Sequence, residues 1–565
     1  MSNNNKTLLQ TTLLECRKSF FYAFLFSFFI NIAMLAMPIY SLQVLDRVLS
    51  SFSIQTLIFI SIIVAVMLIF WAIMQILRNF IFTQIGNYVE KKLEAILVDK
   101  TIDNSVYNHE IGSSYVRDLS NIKSFLTNPA LASLFDAPFA IIYFIVIFFI
   151  HPLNGFITVT GAIILLIMAF VNEKLANKNL KKSGDEQTEF FSKIGSLSGS
   201  SEAMIAMGMK QNVINKLFNT RIEIRKHIYK AGSTACLVAN ITKVLRFFIQ
   251  IATMATGAVL VMNNKMSAGG IIATSILAGK ALAPFDAIVN IWQQFFNCKK
   301  SYNRLNNIID EVVIESEKTE LPEPLAILKL EKISYKVKGS DKFILNNIDF
   351  MVNPGEVIAI LGASGSGKTT LARLIAGIIT PSLGKVTIDN SKLENFNREF
   401  LGKYIGYLPQ QVEFIHASIK ENIARMEPNI DDAKVILAAQ NAGSHEIIQN
   451  FDKGYDTIIE NLGKNLSAGQ KQRIALARCF YGNTKIMILD EPNSNLDSDG
   501  EKALVNALNI AKQNKISSLI ISHRTAILDA VDKIAVMHEG KMELFDQRDK
   551  VLKKLEIMKE NAATE

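Results

Sequence analysis

Six stretches of the chain stay apolar over about the 20 residues that carry an α-helix across a bilayer. They run from Phe20 to Tyr40, Ile54 to Leu77, Leu131 to Ile150, Leu153 to Val171, Ala235 to Met262 and Ala268 to Trp292. All six read as membrane spans. The first follows Lys6, Arg17 and Lys18 but is too long for a signal-peptide core, lacks an A-x-A site and contains Pro38, so it is expected to stay uncleaved. The connections alternate in length. Ser41–Ser53, His151–Pro152 and Asn263–Ser267 are short, whereas Arg78–Ala130 and Asn172–Thr234 are long, polar and patterned as helices. Past the acidic, proline-containing stretch Glu311–Pro324 the pattern changes. Glu356–Leu361, Lys485–Leu489 and Ser517–Ile521 read as short buried strands, each leading into a glycine-rich or polar turn and then a helical period, which predicts a soluble α/β domain.

Composition supports this division. Of the 565 residues, 49% are hydrophobic and 20% charged, and the mean hydropathy is +0.23. That is too apolar for an ordinary soluble enzyme and excludes disorder. The net charge of +8 is lopsided: 29 Lys and Arg oppose 21 Asp and Glu before Leu321, and 31 oppose 31 from there on. The excess therefore accompanies the apolar runs, as in membrane proteins, and no nucleic-acid partner is expected. The short connections carry only Arg47 and Lys265, and the spans carry Lys243, Arg246 and Lys280. The remaining basic residues of this half lie on the other side, which by the positive-inside rule puts both termini and both long connections in the cytoplasm. The four cysteines, Cys16, Cys236, Cys298 and Cys479, form no CxxC and indicate neither zinc nor disulfides.

Three motifs of the second half carry chemistry. Gly362-Ala363-Ser364-Gly365-Ser366-Gly367-Lys368-Thr369 fits GxxxxGK[ST] between the predicted strand Val357–Leu361 and the predicted helix Thr370–Ile378. Its glycines let backbone N–H groups face phosphates, Lys368 reaches the β- and γ-phosphates, and the Thr369 hydroxyl suits Mg²⁺. Ile486–Leu489 is a hydrophobic strand leading into Asp490 and Glu491. Asp490 is placed to hold the Mg²⁺ shell and Glu491 to polarise an attacking water. Between these lie Leu466-Ser467-Ala468-Gly469-Gln470 and a predicted helix Lys471–Cys479.

That last element resembles the LSGGQ signature of ATP-binding-cassette (ABC) proteins, with alanine at the third position. In that family the signature of one subunit closes over the ATP held by the other, which assigns Ser467, Gly469 and Gln470 to nucleotide contact. By the same resemblance Tyr407-Leu408-Pro409-Gln410 is a Q-loop whose Gln410 senses Mg²⁺, Ser494-Asn495-Leu496-Asp497 is a D-loop, and Ser522-His523 carries the switch histidine. The catalytic set is then Glu491, His523 and Lys368. Nucleotide contacts come from Gly362 to Thr370, Gln410, Asp490, Ser467, Gly469, Gln470 and Asp497, and Mg²⁺ ligands from Thr369, Gln410 and Asp490. The aromatic that stacks on adenine in the family aligns with Val337, and Tyr335 is the substitute. Glu460-Asn461 stands where exporters commonly show Gly-Glu.

In the membrane half, Leu45-Asp46-Arg47-Val48-Leu49, Arg117-Asp118-Leu119, Phe125-Leu126-Thr127 and Leu134-Phe135-Asp136-Ala137-Pro138 resemble elements of type I secretion transporters of the PrtD branch. Met204–Met209, Thr242–Arg246, Ala273–Pro284 and Pro492–Asp497 do likewise. The implied fold is an α-helical membrane domain of six transmembrane helices, of ABC exporter type, joined to an α/β P-loop NTPase domain. The expected boundaries are residues 1–19 for a cytoplasmic segment, 20–310 for the membrane domain, 311–325 for a linker, 326–550 for the nucleotide-binding domain and 551–565 for a charged tail. Coupling helices are placed at Asn104–Ser114 and Leu197–Ala206. With about 19 residues before the first span, no peptidase domain is expected ahead of it. The resemblance implies an ATP hydrolase of the bacterial inner membrane that exports unfolded polypeptide as a homodimer, among membrane lipid, with a periplasmic adaptor and an outer-membrane channel. An exporter of lipids or small amphiphiles, and a membrane-anchored ATPase acting as sensor or scaffold, are the alternatives. Lys243, Arg246, Lys280, Asp136 and Asp286 lie in the spans, where charge is costly against lipid. Either the cations line a path for acidic polypeptide, or they pair with Asp136 or Asp286 or snorkel near a span end.

Overall fold

A computed structural model describes residues 7–105, 112–197, 201–310, 322–337, 342–460, 463–522 and 525–564. The chain forms two compact units, residues 1–314 and 315–565.

Among the described residues of the first unit, six helices are long and apolar enough to cross a membrane: Arg17–Ser51, Ile54–Asp103, Pro129–Ile150, Pro152–Val171, Lys210–Met262 and Ala268–Ile288. They fall on the six apolar runs. Four belong to longer continuous helices, Ile54–Ser105, Pro152–Leu197, Lys210–Met262 and Ala268–Asp310, of 52, 46, 53 and 43 residues. At 1.5 Å per residue these are about twice as long as a bilayer core is thick, so half of each stands in water. The long polar connections are therefore mostly continuations of the spans. The expected linker lies largely outside the described residues, as do 106–111 and 198–200 within the two expected coupling segments.

Two spans are bent. The first runs through Arg17–Ala33 and Ala36–Gln43 into a π-helical turn, Val44–Val48, so most of the connection predicted at Ser41–Ser53 is helical. The third breaks at a 3₁₀ turn, Ala137–Phe139, where Pro138 lacks an N–H and its ring crowds the carbonyl of Leu134.

The outward faces, including Phe59, Ile62, Ile63 and Phe149, are exposed apolar surface suited to hydrocarbon. Inside, aspartates tie helices together. Asp46, on the π-helical turn, accepts the Gly269 N–H at 2.8 Å. A side chain at position 269 would bring its Cβ within 2.8 Å of both that carboxylate and the Leu42 carbonyl. Fully buried Asp118 accepts from Ser301 at 2.9 Å and Arg304 at 2.5 Å. Asp136 accepts from Arg78 at 2.5 Å and Asn31 at 3.0 Å. Arg78, 1% exposed, also donates to Ser27 and Gln75, and Tyr143 donates to Asn31. Arg246 pairs with Asp286 at 3.0 Å, while Lys243 is exposed. The pairing reading thus holds for Arg246 with Asp286 alone; Asp136 pairs instead with Arg78, which the sequence places in a connection, and Lys243 and Lys280 form no ion pair among the described residues.

Among its described residues the second unit has ten strands: β1 Leu328–Lys336, β2 Phe343–Val352, β3 Val357–Gly362, β4 Leu383–Ile388, β5 Ser391–Lys392, β6 Ile405–Leu408, β7 Ile486–Asp490, β8 Ser517–Ile521, β9 Lys533–His538 and β10 Lys541–Gln547. An antiparallel sheet has the order β2-β1-β4-β5, and a second sheet the order β10-β9-β3-β8-β7-β6. In the second sheet only the β9–β10 pair is antiparallel. Alternate residues of its central strands enter different cores: Ala359, Leu489 and Ile520 join one, and Ile360, Ile488 and Ile521 the other. Burial on both faces explains the near-continuous apolar runs that marked β7 and β8 in the sequence.

Candidate nucleotide site

In an open parallel sheet, ligands bind beyond the carboxyl ends of the strands. Here β8 lies between β3 and β7, with Ile521 opposite both Ile360 and Asp490. The loop after β3 and the acidic pair after β7 therefore emerge side by side. Helix Lys368–Ile375 begins at the end of the loop, two residues earlier than the periodicity predicts. Gly362 has φ +156°, and a Cβ there would lie 2.3 Å from the Met537 carbonyl oxygen. Gly365, at φ +81°, has nothing within 4 Å of where its Cβ would be, so the loop offers an open flank. The buried Lys368 ammonium donates to the carbonyls of Gly362 and Ala363 at 2.8 and 2.7 Å, folding the loop around its own cation.

Asp490 is 0% exposed, yet among the described residues neither carboxylate oxygen has a hydrogen-bond partner, and the buried Ser366 hydroxyl has none either. Unpaired polar atoms at this depth are costly, and the donor chemistry fits a hard cation and a phosphate oxygen. Burial pushes the Asp490 carboxyl above the usual range. Thr369 opposes that shift, the Glu491 charge adds to it, and Arg373 and Lys368 oppose it. Thr369 is near enough to favour the ionised form, but no hydrogen bond closes onto the carboxylate. Burial also lowers the Lys368 ammonium, against the charges of Glu491 and Asp490.

Glu491 occupies the left-handed region at φ +49°, a conformation costly for a residue with a side chain. Its N–H donates to the Ile521 carbonyl at 3.0 Å, and its carboxylate accepts from Gln410 at 3.0 Å. The Q-loop residue and the expected base thus meet directly. Gln472 approaches the Glu491 carbonyl from the signature helix at 3.4 Å, and Ser522 bonds Asn493 at 3.3 Å. His523 lies outside the described residues.

The signature helix runs from Ala468 to Phe480. Ser467 and Gln470 form a reciprocal capping box, the serine hydroxyl accepting the Gln470 N–H and the Gln470 side chain accepting the Ser467 N–H. The amides of Ala468 and Gly469 come too early in the helix for an intrahelical acceptor, so an anion-binding end remains at this surface. A Cβ on Gly469 would lie 3.3 Å from the Asn495 carbonyl, and Arg473 pairs with Asp497 at 3.1 Å, so the signature and D-loop are tied together. Asp497 also caps helix Ser498–Gln513. The Gly500 N–H it accepts holds its carboxyl low, with Arg473 assisting.

The structure therefore gathers the glycine-rich loop, Lys368, Thr369, Asp490, Glu491 and Gln410, and separately Ser467, Gly469, Gln470 and Asp497. Tyr335 stands on β1, half-buried and packed against the core, whereas Val337 is exposed. Arg373, one helical turn after Thr369, and Gln472, which reaches the Glu491 carbonyl, join the site outside the residues that the motifs assign to it. The helical spacing from Thr369 carries the signal for Arg373.

The ABC transporter family model matches residues 345–494, and the ABC transporter transmembrane region model matches residues 20–283. The type I secretion system ATP-binding protein PrsD of Rhizobium meliloti (strain 1021) is 30% identical over 95% of this chain and 93% of its own length. The leukotoxin export ATP-binding protein LtxB of Aggregatibacter actinomycetemcomitans is 29% identical over 94% of this chain and 76% of its own length. A bacterial Atm1-family ABC exporter with ATP bound shares the fold, with a TM-score of 0.81 at 19% identity over 95% of this chain and 96% of that one. This multi-pass, ATP-binding chain belongs to the ABC transporters of type I secretion systems.

Proposed function

We propose that the chain is the inner-membrane half-transporter of a type I secretion system and couples ATP hydrolysis to export of an unfolded polypeptide. Both termini face the cytoplasm, and the working unit is a homodimer joined to a periplasmic adaptor and an outer-membrane channel. The observation that carries the hydrolytic part is Asp490, a fully buried carboxylate with both oxygens unpaired beside the phosphate loop.

Thr369, Gln410 and Asp490 would hold Mg²⁺, which when bound would supply charge neutralisation to the phosphates. The glycine-rich loop and Ser366 cradle the nucleotide, and Lys368 exchanges its loop carbonyls for phosphate oxygens. Glu491, oriented by Gln410, takes the proton of the attacking water. His523 and Lys368 stabilise the transferring phosphoryl group, and the partner subunit's signature, with the Ser467 hydroxyl and the free amides at Ala468 and Gly469, closes over it. Tyr335 is the remaining candidate for adenine. Two cassettes are needed because each signature serves the opposite loop, and isologous pairing of identical halves meets that need.

The test is deletion of the gene in its native host, with complementation by wild type and by Glu491→Gln. Specific polypeptides should vanish from the medium and return only with wild type. An unchanged set of extracellular proteins, with loss of exported lipid or small amphiphile instead, overturns the polypeptide reading.

A further inference from the structure

A cavity of about 180 Å³ opens among the spans. Lys280, Asp136, Asn31, Gln75, Ser133 and Trp71 contribute to its walls. Its charges are unequal. Asp136 takes Arg78 and Asn31 on one oxygen, so that carboxylate is already neutralised by a buried guanidinium from the second span. Arg246 is likewise committed to Asp286. Lys280 is exposed and forms no ion pair or hydrogen bond among the described residues. With Arg78 counted behind the Asp136 carboxylate, the cavity and its wall together carry one net positive charge. The remaining wall chemistry is rich in donors: the Gln75 side chain uses its oxygen for Arg78, which leaves its NH₂ group, and Ser133 and Trp71 add a hydroxyl and an indole N–H. Pro284 in the same helix has no N–H for the Lys280 carbonyl, which keeps the backbone locally polar as well.

Resting on the polypeptide reading above, we propose that Lys280 and this cavity form a subsite that receives the carboxylate of acidic side chains in the exported chain. A cation with surrounding donors, beside an aspartate that already holds a guanidinium, is complementary to a carboxylate, and the volume suits one side chain of an extended polypeptide. Because Lys280 is exposed, a passing Asp or Glu displaces only water from its ammonium, which allows the cargo to bind and still move on. Arg78 and Asp136 form the fixed wall and Lys280 the exchangeable contact.

The experiment uses the full-length transporter in phosphatidylcholine nanodiscs. Binding of a fluorescent Gly/Ser/Asp peptide is compared with that of a Gly/Ser/Asn peptide of equal length. Wild type should prefer the acidic peptide by about tenfold, Lys280→Gln should bring the ratio near one by weakening the acidic peptide alone, and Lys280→Arg should keep it. Thermal melts of the three proteins certify folding. Equal preference for both peptides in wild type, or an acidic preference that survives Lys280→Gln, overturns the subsite while leaving polypeptide export standing. Failure of wild type to bind either peptide overturns both readings. Loss of the acidic preference when phosphatidylglycerol replaces phosphatidylcholine assigns Lys280 to a lipid headgroup and also overturns the subsite.

Discussion

Asp490 and Asp136 are both carboxylates withdrawn from water, one in each unit, and the protein treats them oppositely. Asp136 is provided with a guanidinium and an amide, and the guanidinium is itself held by Ser27 and Gln75. Asp490 ends a wholly buried strand, and no hydrogen bond reaches either of its oxygens among the described residues. A satisfied buried charge fixes helices against each other, whereas an unsatisfied one stores a cost that a bound cation removes. The difference separates a scaffold from a binding site more cleanly than burial alone, because both groups are largely buried.

The largest effect that tests this contrast belongs to the residue beside Asp490. Glu491→Gln should lower steady-state ATP turnover by about 10²–10⁴-fold while ATP binding persists, since the amide retains a partner for Gln410 but takes no proton. Phosphate release and nucleotide-binding assays on the purified protein read the two quantities separately. Turnover near wild type would remove Glu491 from the base role. Next in size is the scaffold pair. Asp136→Asn leaves the Arg78 guanidinium buried without its counter-charge and should destabilise the membrane unit by about 3–5 kcal/mol, and replacing both by apolar residues of similar volume should restore most of that loss. Detergent thermal melts of the single and double variants check it. Equal melting of Asp136→Asn and wild type would show that the pair holds nothing.

What the sequence displayed follows the same division. The nucleotide site was legible because its chemistry requires contiguous motifs: a loop that curls around phosphate must be spelled in one run, and β7 must be apolar until Asp490. Six spans were legible because a bilayer demands long apolar runs. Arg78 was not, because nothing local distinguishes a basic residue at the end of an apolar run from one in a connection. Its identity as a buried partner comes from Asp136, 58 residues later. The half-burial of Tyr335 depends on the register of β1 against β2, which carries irregularities that the alternation pattern does not show.

Asp490→Asn sharpens the contrast from the other side. Its native carboxyl is held above the ordinary aspartate range, so ionisation is less favourable in the folded, nucleotide-free protein than in the unfolded chain. The contribution of this group to stability is therefore full below the ordinary range and is lost as pH rises through the elevated native value. Asp490→Asn should melt a few degrees above wild type at neutral pH without nucleotide, the gap should close in acid, and added Mg²⁺ with ATP should stabilise wild type but not the variant. A variant that melts below wild type at neutral pH would mean that the protein itself satisfies Asp490.

Asp46 stands between the two cases and gives the smallest effect. It is half-exposed on a π-helical turn and accepts one backbone N–H from the start of helix Ala268–Asp310, where an anion also meets the positive end of the helix. Losing a hydrogen bond from a charged acceptor costs about 1.5–3 kcal/mol when the donor is left buried, and water access at this turn reduces that, so Asp46→Ala should cost about 1 kcal/mol in melts. Asp46→Asn retains an acceptor and should cost less. Gly269→Ala attacks the same contact through space, because its methyl group would meet the carboxylate and the Leu42 carbonyl at 2.8 Å. If the contact is one unit, combining Asp46→Ala with Gly269→Ala should cost less than the two single losses added, since removing the carboxylate frees part of the room the methyl needs. Strict additivity would show that Asp46 and Gly269 act separately and that this third aspartate belongs to neither class.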